Sequence, residues 1–149
     1  MVAAVERGTD VVAVHRTYLA EPGTKAAIDT NKAMLGPVSG GAVRRSAGDG
    51  PLIVAEGIET ALSLLDAFST ERPRVWAALS ASGMASMQLP PERAELVIAP
   101  DGDPAGRGGA EKLADRAYAA GWSVRIMEPP GAGIDWNDIA MREAAHECA

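Results

Sequence analysis

The chain has 149 residues, 14 of them basic and 20 acidic, for a formal net charge of −6. That is about the length of one ordinary domain, and the balance argues against a surface that is basic all over, so nucleic acid would have to be met locally. A lone cysteine, Cys148, excludes a disulfide framework or a zinc site built on several thiolates and points to a reducing compartment.

No apolar run approaches the roughly 18 residues of a membrane span. The start MVAAVERGTD lacks the hydrophobic region of a signal peptide, so a cytoplasmic protein away from membranes is expected. Acidity is uneven along the chain: residues 1 to 50 carry six basic and five acidic side chains, the remainder eight and fifteen.

In chain order, VVAVHRTYL, EPGTK and KAMLGPVSGGAVRR suggest strands and turns without a helix, a small β-rich lead-in over residues 1–50. The turn-rich SAGDGP marks the expected boundary to a second unit, 51–149. There LIVA (52–55) reads as a buried strand and IETALSLLDAF (58–68) as an amphipathic helix. VWAAL (75–79) is a second strand, followed by a Ser/Gly loop and a short helical piece near MASMQ. LVIA (96–99) is a third strand, and 105–121 a helix closed by Gly121. SVRIM (123–127) and DWNDIAMREAAHE (135–147) complete the pattern as a strand and a helix. Alternating strands and helices predict an α/β fold, a mainly parallel four-stranded sheet with helices on both faces.

Three carboxylates fall at the carboxyl ends of these strands, where open parallel sheets meet their ligands. Glu56 follows the first strand in LIVAEG, and Asp101 and Asp103 follow the third in LVIAPDGDPAG. Like charges at the edge of a core are costly unless a cation or a set of donors compensates them. Hard oxygens from two strand ends suit Mg²⁺, which takes one or two protein carboxylates and fills its shell with water and phosphate. A second reading stands beside this one. Asp103 before Pro104 is a common helix start, and Glu56-Gly57 a common strand-to-helix turn.

Other acidic motifs fit less well. An EF-hand loop beginning at Asp101 would place Ala105 at its fifth position and Lys112 at its twelfth, where a bidentate glutamate is needed. A haloacid-dehalogenase-type Asp-x-Asp belongs on a first strand and is followed by Thr or Val, not Pro104. A glycosyltransferase Asp-x-Asp gives Glu56 no role.

LIVAEG followed by LVIAPDGDPAGRGGAEKL resembles the Toprim domain shared by primases, topoisomerases and certain nucleases. DGDPAGR is similar to the primase form, and RTYLAEPGTKAA, LGPVSGGAV and AEGIETALS resemble primase-helicase-like proteins of phages and mobile elements. The resemblance implies Mg²⁺, with Mn²⁺ able to replace it, held by Glu56, Asp101 and Asp103. It implies DNA or RNA and nucleotides as partners, a role in DNA replication, and a helicase or further domains of the same system.

GIDWNDIA, with Asp135, Asn137 and Asp138, resembles the acidic motif that closes primase Toprim domains, where an aspartate approaches the metal; capping by Asp135 is the alternative. One departure stands out. Primases carry an acid four residues after the motif glutamate, where this chain has Thr60, with Glu59 one position earlier. Glu59 either substitutes or only favours the helix N-terminus.

The remaining residues suggest less. His15 and His146 lack metal spacing, and Ser80 and Ser82 have no partner histidine for a triad. Tyr18 and Tyr118 do not suggest a topoisomerase nucleophile. Trp76, Trp122 and Trp136 do not interleave with a basic stripe, and Lys25, Lys32, Arg44 and Arg45 could contact phosphates, although scattered basic residues are usually just solvated. Three functions remain open: nucleotidyl transfer of the primase type, phosphodiester hydrolysis with Glu56 as general base, and a non-catalytic module that recruits metal and nucleic acid.

Overall fold

A computed structural model of the chain describes residues 1–21, 24–130, 136, 137 and 139–141. Its centre is a five-stranded sheet in the order β4 (Val43–Arg44), β6 (Arg74–Ala77), β5 (Leu52–Ala55), β7 (Glu95–Ala99), β8 (Ser123–Ile126). The four strands from β6 to β8 are parallel, as the alternation predicts, and β4 joins antiparallel at the β6 edge. β4 comes from the first fifty residues, beyond the reach of the strand-helix pattern, and its two residues are too few to show a period.

The parallel strands are buried on both faces, which is why they read as continuous apolar runs. Ile53, Ala55, Val75, Ala77, Val97 and Ala99 point to one core. Leu52, Val54, Trp76, Leu96 and Ile98 point to the other. Helix α1 (Ile58–Ala67) supplies Ile58, Ala61 and Leu64 to the first core. Helices α2 (Ala81–Ser86) and α3 (Pro104–Ala119) cover the second with Met84, Ala110, Leu113 and Ala117. Gly121, at φ +86, follows α3 in the left-handed conformation expected of a helix stop.

The lead-in forms a separate antiparallel sheet of β1 (Val2–Arg7), β2 (Asp10–Thr17) and β3 (Lys32–Leu35). Its inner residues Ala3, Val5 and Ala13 enter the same core as α1. Reciprocal backbone hydrogen bonds between Glu6 and Ala42, at 2.8 and 2.9 Å, stitch it to the segment entering β4. Glu59 on α1 adds an ionic tie: its carboxylate lies 3.1 Å from Lys25 Nζ and 3.6 Å from Lys32 Nζ. These lysines are therefore not simply solvated. His15 on β2 is buried at 3 % exposure. Burial and the charge of Lys32 lower its pKa against the pull of Glu59. Among the described residues no helix is long and apolar enough to cross a membrane.

Two glycines on α3 make opposite predictions. A Cβ on Gly109 would stand 2.5 Å from the Ala81 carbonyl oxygen, whereas one on Gly108 meets nothing within 4 Å. Gly108→Ala should therefore stabilise the fold by up to about 1 kcal/mol through helix propensity. Gly109→Ala should destabilise it, because an overpacking cost of about 1–3 kcal/mol outweighs the same gain. Urea melts of the two variants check both signs.

Glu59 carries a pH dependence. Burial opposes its charge, but its own backbone N–H, Lys25 and Lys32 prevail, and its pKa is lowered. A lowered acid stabilises the fold above its ordinary pKa and ceases to do so as pH falls through the folded value. Glu59→Gln should cost up to about 1 kcal/mol at pH 7, since both lysines are half-exposed. Melts across pH 7 to 3 should show that gap closing on the acid side.

Candidate metal centre

The strand order turns at β5. The chain passes from β5 through α1 to β6 on one side, then through α2 to β7 on the other, with α1 and α2 on opposite faces. The crevice at the carboxyl ends of β5 and β7 is thus a topological switch point, where such sheets bind ligands. Ala55 and Ala99 are paired in register. Glu56, one residue beyond Ala55, and Asp101, two beyond Ala99, therefore leave the sheet at the same end, within one residue of each other's level.

The structure brings Glu56, Asp101 and Asp103 together electrostatically. The Glu56 pKa is raised, first by burial, then by the charges of Asp101 and Asp103, while the backbone N–H groups of Ala81 and Asp101 pull the other way. Glu56 Oε2 is buried and receives no hydrogen bond of good geometry. Gly106 leaves the room it needs: a Cβ there would lie 3.1 Å from this oxygen and 2.6 Å from the Asp101 carbonyl oxygen.

Asp103 has a second task. Its Oδ1 accepts a 2.7 Å hydrogen bond from Gly106 N at the start of α3, with Pro104 in the first turn. The helix-cap reading is realised at this residue. A carboxylate has acceptor capacity beyond one hydrogen bond, so the cap does not use up its charge.

The donor set fits a divalent cation: hard oxygens, excess negative charge at one end of the sheet, and a buried oxygen lacking a donor. Among the described residues, no group of three His, Cys, Asp or Glu side chains is already gathered as a metal cage. Mg²⁺ does not need one, because water and phosphate complete its shell. Asp135 and Asp138 lie outside the described residues. Their neighbours Trp136 and Asn137 are placed beside this end of the sheet, with Trp136 Nε1 donating to Met127 O at 3.2 Å and Asn137 Oδ1 3.2 Å from Ser63 Oγ.

Sequence reasoning ran the second strand through Leu79, but β6 ends at Ala77, and the turn that follows was missed. Leu79 takes a left-handed conformation, φ 72, which costs an L-residue about 1 kcal/mol and commonly marks a site. Its N–H donates to Glu56 O at 2.8 Å, and the loop carries the Ala81 N–H to the Glu56 carboxylate. Glycine or asparagine at that position would have been a signal; leucine gives none. Glu59, held by two lysines, is tied to the lead-in sheet. Arg44 also departs from expectation: it lies over the Trp76 ring at 4.5 Å.

The Toprim domain profile matches residues 51–146, and a domain of unknown function matches residues 1–45. No curated protein matches the sequence. Among solved structures, the primase fragment of the bacteriophage T7 primase-helicase protein is similar at a TM-score of 0.59 and 19 % identity, over 97 % of this chain and 63 % of that one. The Aquifex aeolicus primase, in its zinc-binding and RNA polymerase domains, gives 0.52 and 17 %, over 98 % and 38 %. A DNA primase domain from Pseudomonas aeruginosa gives 0.51 and 16 %, over 98 % and 55 %. The chain therefore spans less than two thirds of each of these structures. Toprim domains generally bind a divalent metal. With its strand-end carboxylates and a match over most of its length, this chain belongs to the Toprim domain family.

Proposed function

We propose that the chain is the metal-binding unit of a primase-type nucleotidyltransferase acting in DNA replication. The observation that carries the proposal is the placement of Glu56, Asp101 and Asp103 beyond the carboxyl ends of β5 and β7, at the switch point of a fold shared with primase fragments. Glu56, Asp101 and Asp103 would hold Mg²⁺ or Mn²⁺, with Asp135 joining from the segment after β8. A divalent cation there supplies neutralisation of the phosphate charge in an in-line displacement. The residues do the positioning. Glu56 is fixed through its backbone by Leu79, Asp103 is anchored by its cap, and Gly106 keeps the crevice open for an incoming phosphate.

DNA or RNA, as template, and nucleotides are the proposed partners. The similar structures include one from a primase-helicase protein and one with a zinc-binding domain, so a helicase or further domains are proposed to supply the grip on the strand. The net charge of −6 supports that division of labour, because phosphate contacts dominate nucleic-acid affinity. Hydrolysis is the second reading, favoured by one observation: a carboxylate with a raised pKa suits a general base.

Substitutions separate cap from site. Asp103→Asn keeps a competent helix cap and removes a charge, so it should preserve stability and weaken Mn²⁺ binding roughly tenfold or more, as followed by paramagnetic broadening of amide resonances. Asp103→Ala should in addition lose about 1 kcal/mol of stability. Equal metal binding by Asp103→Asn and the parent chain would reduce Asp103 to a cap.

Glu56→Gln tests the repulsion. A raised acid destabilises the fold above its folded pKa, and that cost disappears as pH falls through it. Without metal, Glu56→Gln should raise the melting temperature at pH 8 and have little effect near pH 4; with metal, binding should be lost.

The chemistry is tested by two assays on the purified chain with Mn²⁺. Template-dependent ribonucleotide incorporation should be weak alone and rise when the partner domains are supplied, with Asp101→Asn inactive throughout. Cleavage of single-stranded or duplex DNA that disappears in Glu56→Gln would replace transfer by hydrolysis.

A further inference from the structure

A cavity of about 560 Å³ opens at the β4 edge of the main sheet, at the far end of the strands from the carboxylates. Arg74 on its wall opens β6 and is paired with Leu52, which opens β5; Glu56 lies beyond the other end of that strand. Four residues of strand separate the two levels by roughly 13 Å. The cavity holds Arg44, Arg45 and Arg74, a concentration of positive charge in a chain of net charge −6.

The three arginines are not equivalent. Arg44 is fixed: its guanidinium stacks over Trp76, lies 3.4 Å from the Glu6 carboxylate and donates to Gly8 O. Arg45 and Arg74 make no side-chain hydrogen bond or ion pair among the described residues, and Arg74 Nε is buried without an acceptor. A guanidinium N–H taken out of water and left without an acceptor is costly, and an incoming oxyanion removes that cost. Guanidinium forks match phosphate oxygens in geometry and charge. Next to this mouth is a cavity of about 270 Å³ lined by Leu89, Pro90 and Pro91, which shares Arg44 and Trp76 with the first. The pair thus offers a cationic end beside an apolar slot.

We propose that this cavity is a second binding site, for the phosphate of a nucleotide, with Arg45 and Arg74 as its ligands and Arg44 as a fixed wall. The apolar slot takes the base or sugar, and Glu92 on the rim limits affinity by repulsion. Choosing a nucleotide over another organic phosphate rests on the Toprim reading; the site itself does not, since it shares no residue with the carboxylates.

The test is binding to the full chain in EDTA, which removes divalent cations, followed by tryptophan fluorescence and by arginine side-chain resonances. The probes are a nucleoside 5′-triphosphate, inorganic pyrophosphate and a short thymidine oligonucleotide. The triphosphate should bind more tightly than pyrophosphate. Arg74→Gln and Arg45→Gln should each weaken it roughly tenfold, the loss of one charge-assisted contact. Glu92→Gln should tighten it two- to threefold, which a misfolded variant would not do. Tighter binding of the oligonucleotide assigns the site to a strand, and tighter binding of the triphosphate to a free nucleotide. No nucleotide binding, equal affinity in both arginine variants, or loss in Asp101→Asn would overturn the proposal. Loss of the Mn²⁺ response with this binding intact would instead count against the metal centre.

Discussion

Negative charge held at the carboxyl ends of two neighbouring buried strands is the constraint around which this molecule is arranged. Glu56 is pressed into partial burial beside Asp101 and Asp103, and each contributor to its environment opposes ionisation except two backbone N–H groups. Surrounding features maintain that unfavourable arrangement. Register between β5 and β7 sets the level, the cap at Asp103 fixes the loop, and Gly106 leaves space beside the carboxylate. Like charges held together at a switch point are the arrangement that the proposed cation would compensate, and such local costs are typical of functional sites in otherwise consistent structures.

The same economy explains the left-handed Leu79. β6 ends at Ala77, and the loop that follows turns so that Leu79 N–H donates to Glu56 O and the Ala81 N–H reaches the Glu56 carboxylate. Helix α2 then has to lie close against α3, which Gly109 permits and any larger residue opposes. Local strain at one residue and an absent side chain at another are thus parts of one arrangement.

The central fold was legible because its signals are strong. Runs such as LIVA and LVIA are apolar on both faces, and the helices between them carry a 3.6-residue period. The carboxylates were legible through their position after those runs. Three things were not. β4 is two residues long, too short to carry a pattern. The Leu79 turn uses a residue that carries no turn signal. The pairing of Glu59 with Lys25 and Lys32 joins helix α1 to the distant lead-in, and nothing local distinguishes a lysine that will find a carboxylate from one that stays in water. Arg44 was hidden for the same reason, since its partners Glu6, Gly8 and Trp76 come from distant segments.

Charge is consequently distributed in a way that totals conceal. The chain is acidic overall, yet the described structure separates a carboxylate crevice at one end of the parallel strands from an arginine-lined cavity at the other, with the sheet between them. Strands about four residues long keep the two ends within roughly 13 Å, comparable to the screening length of about 8–10 Å at physiological salt. Each end therefore feels the other weakly. A cation entering the crevice lowers the negative field there without emptying the arginine end. A phosphate in the cavity neutralises guanidinium charge that lies too far away to pair with Glu56. The sheet holds the opposite charges apart, so that in the proposed function each would be compensated by external ions of the opposite sign rather than by an internal salt bridge.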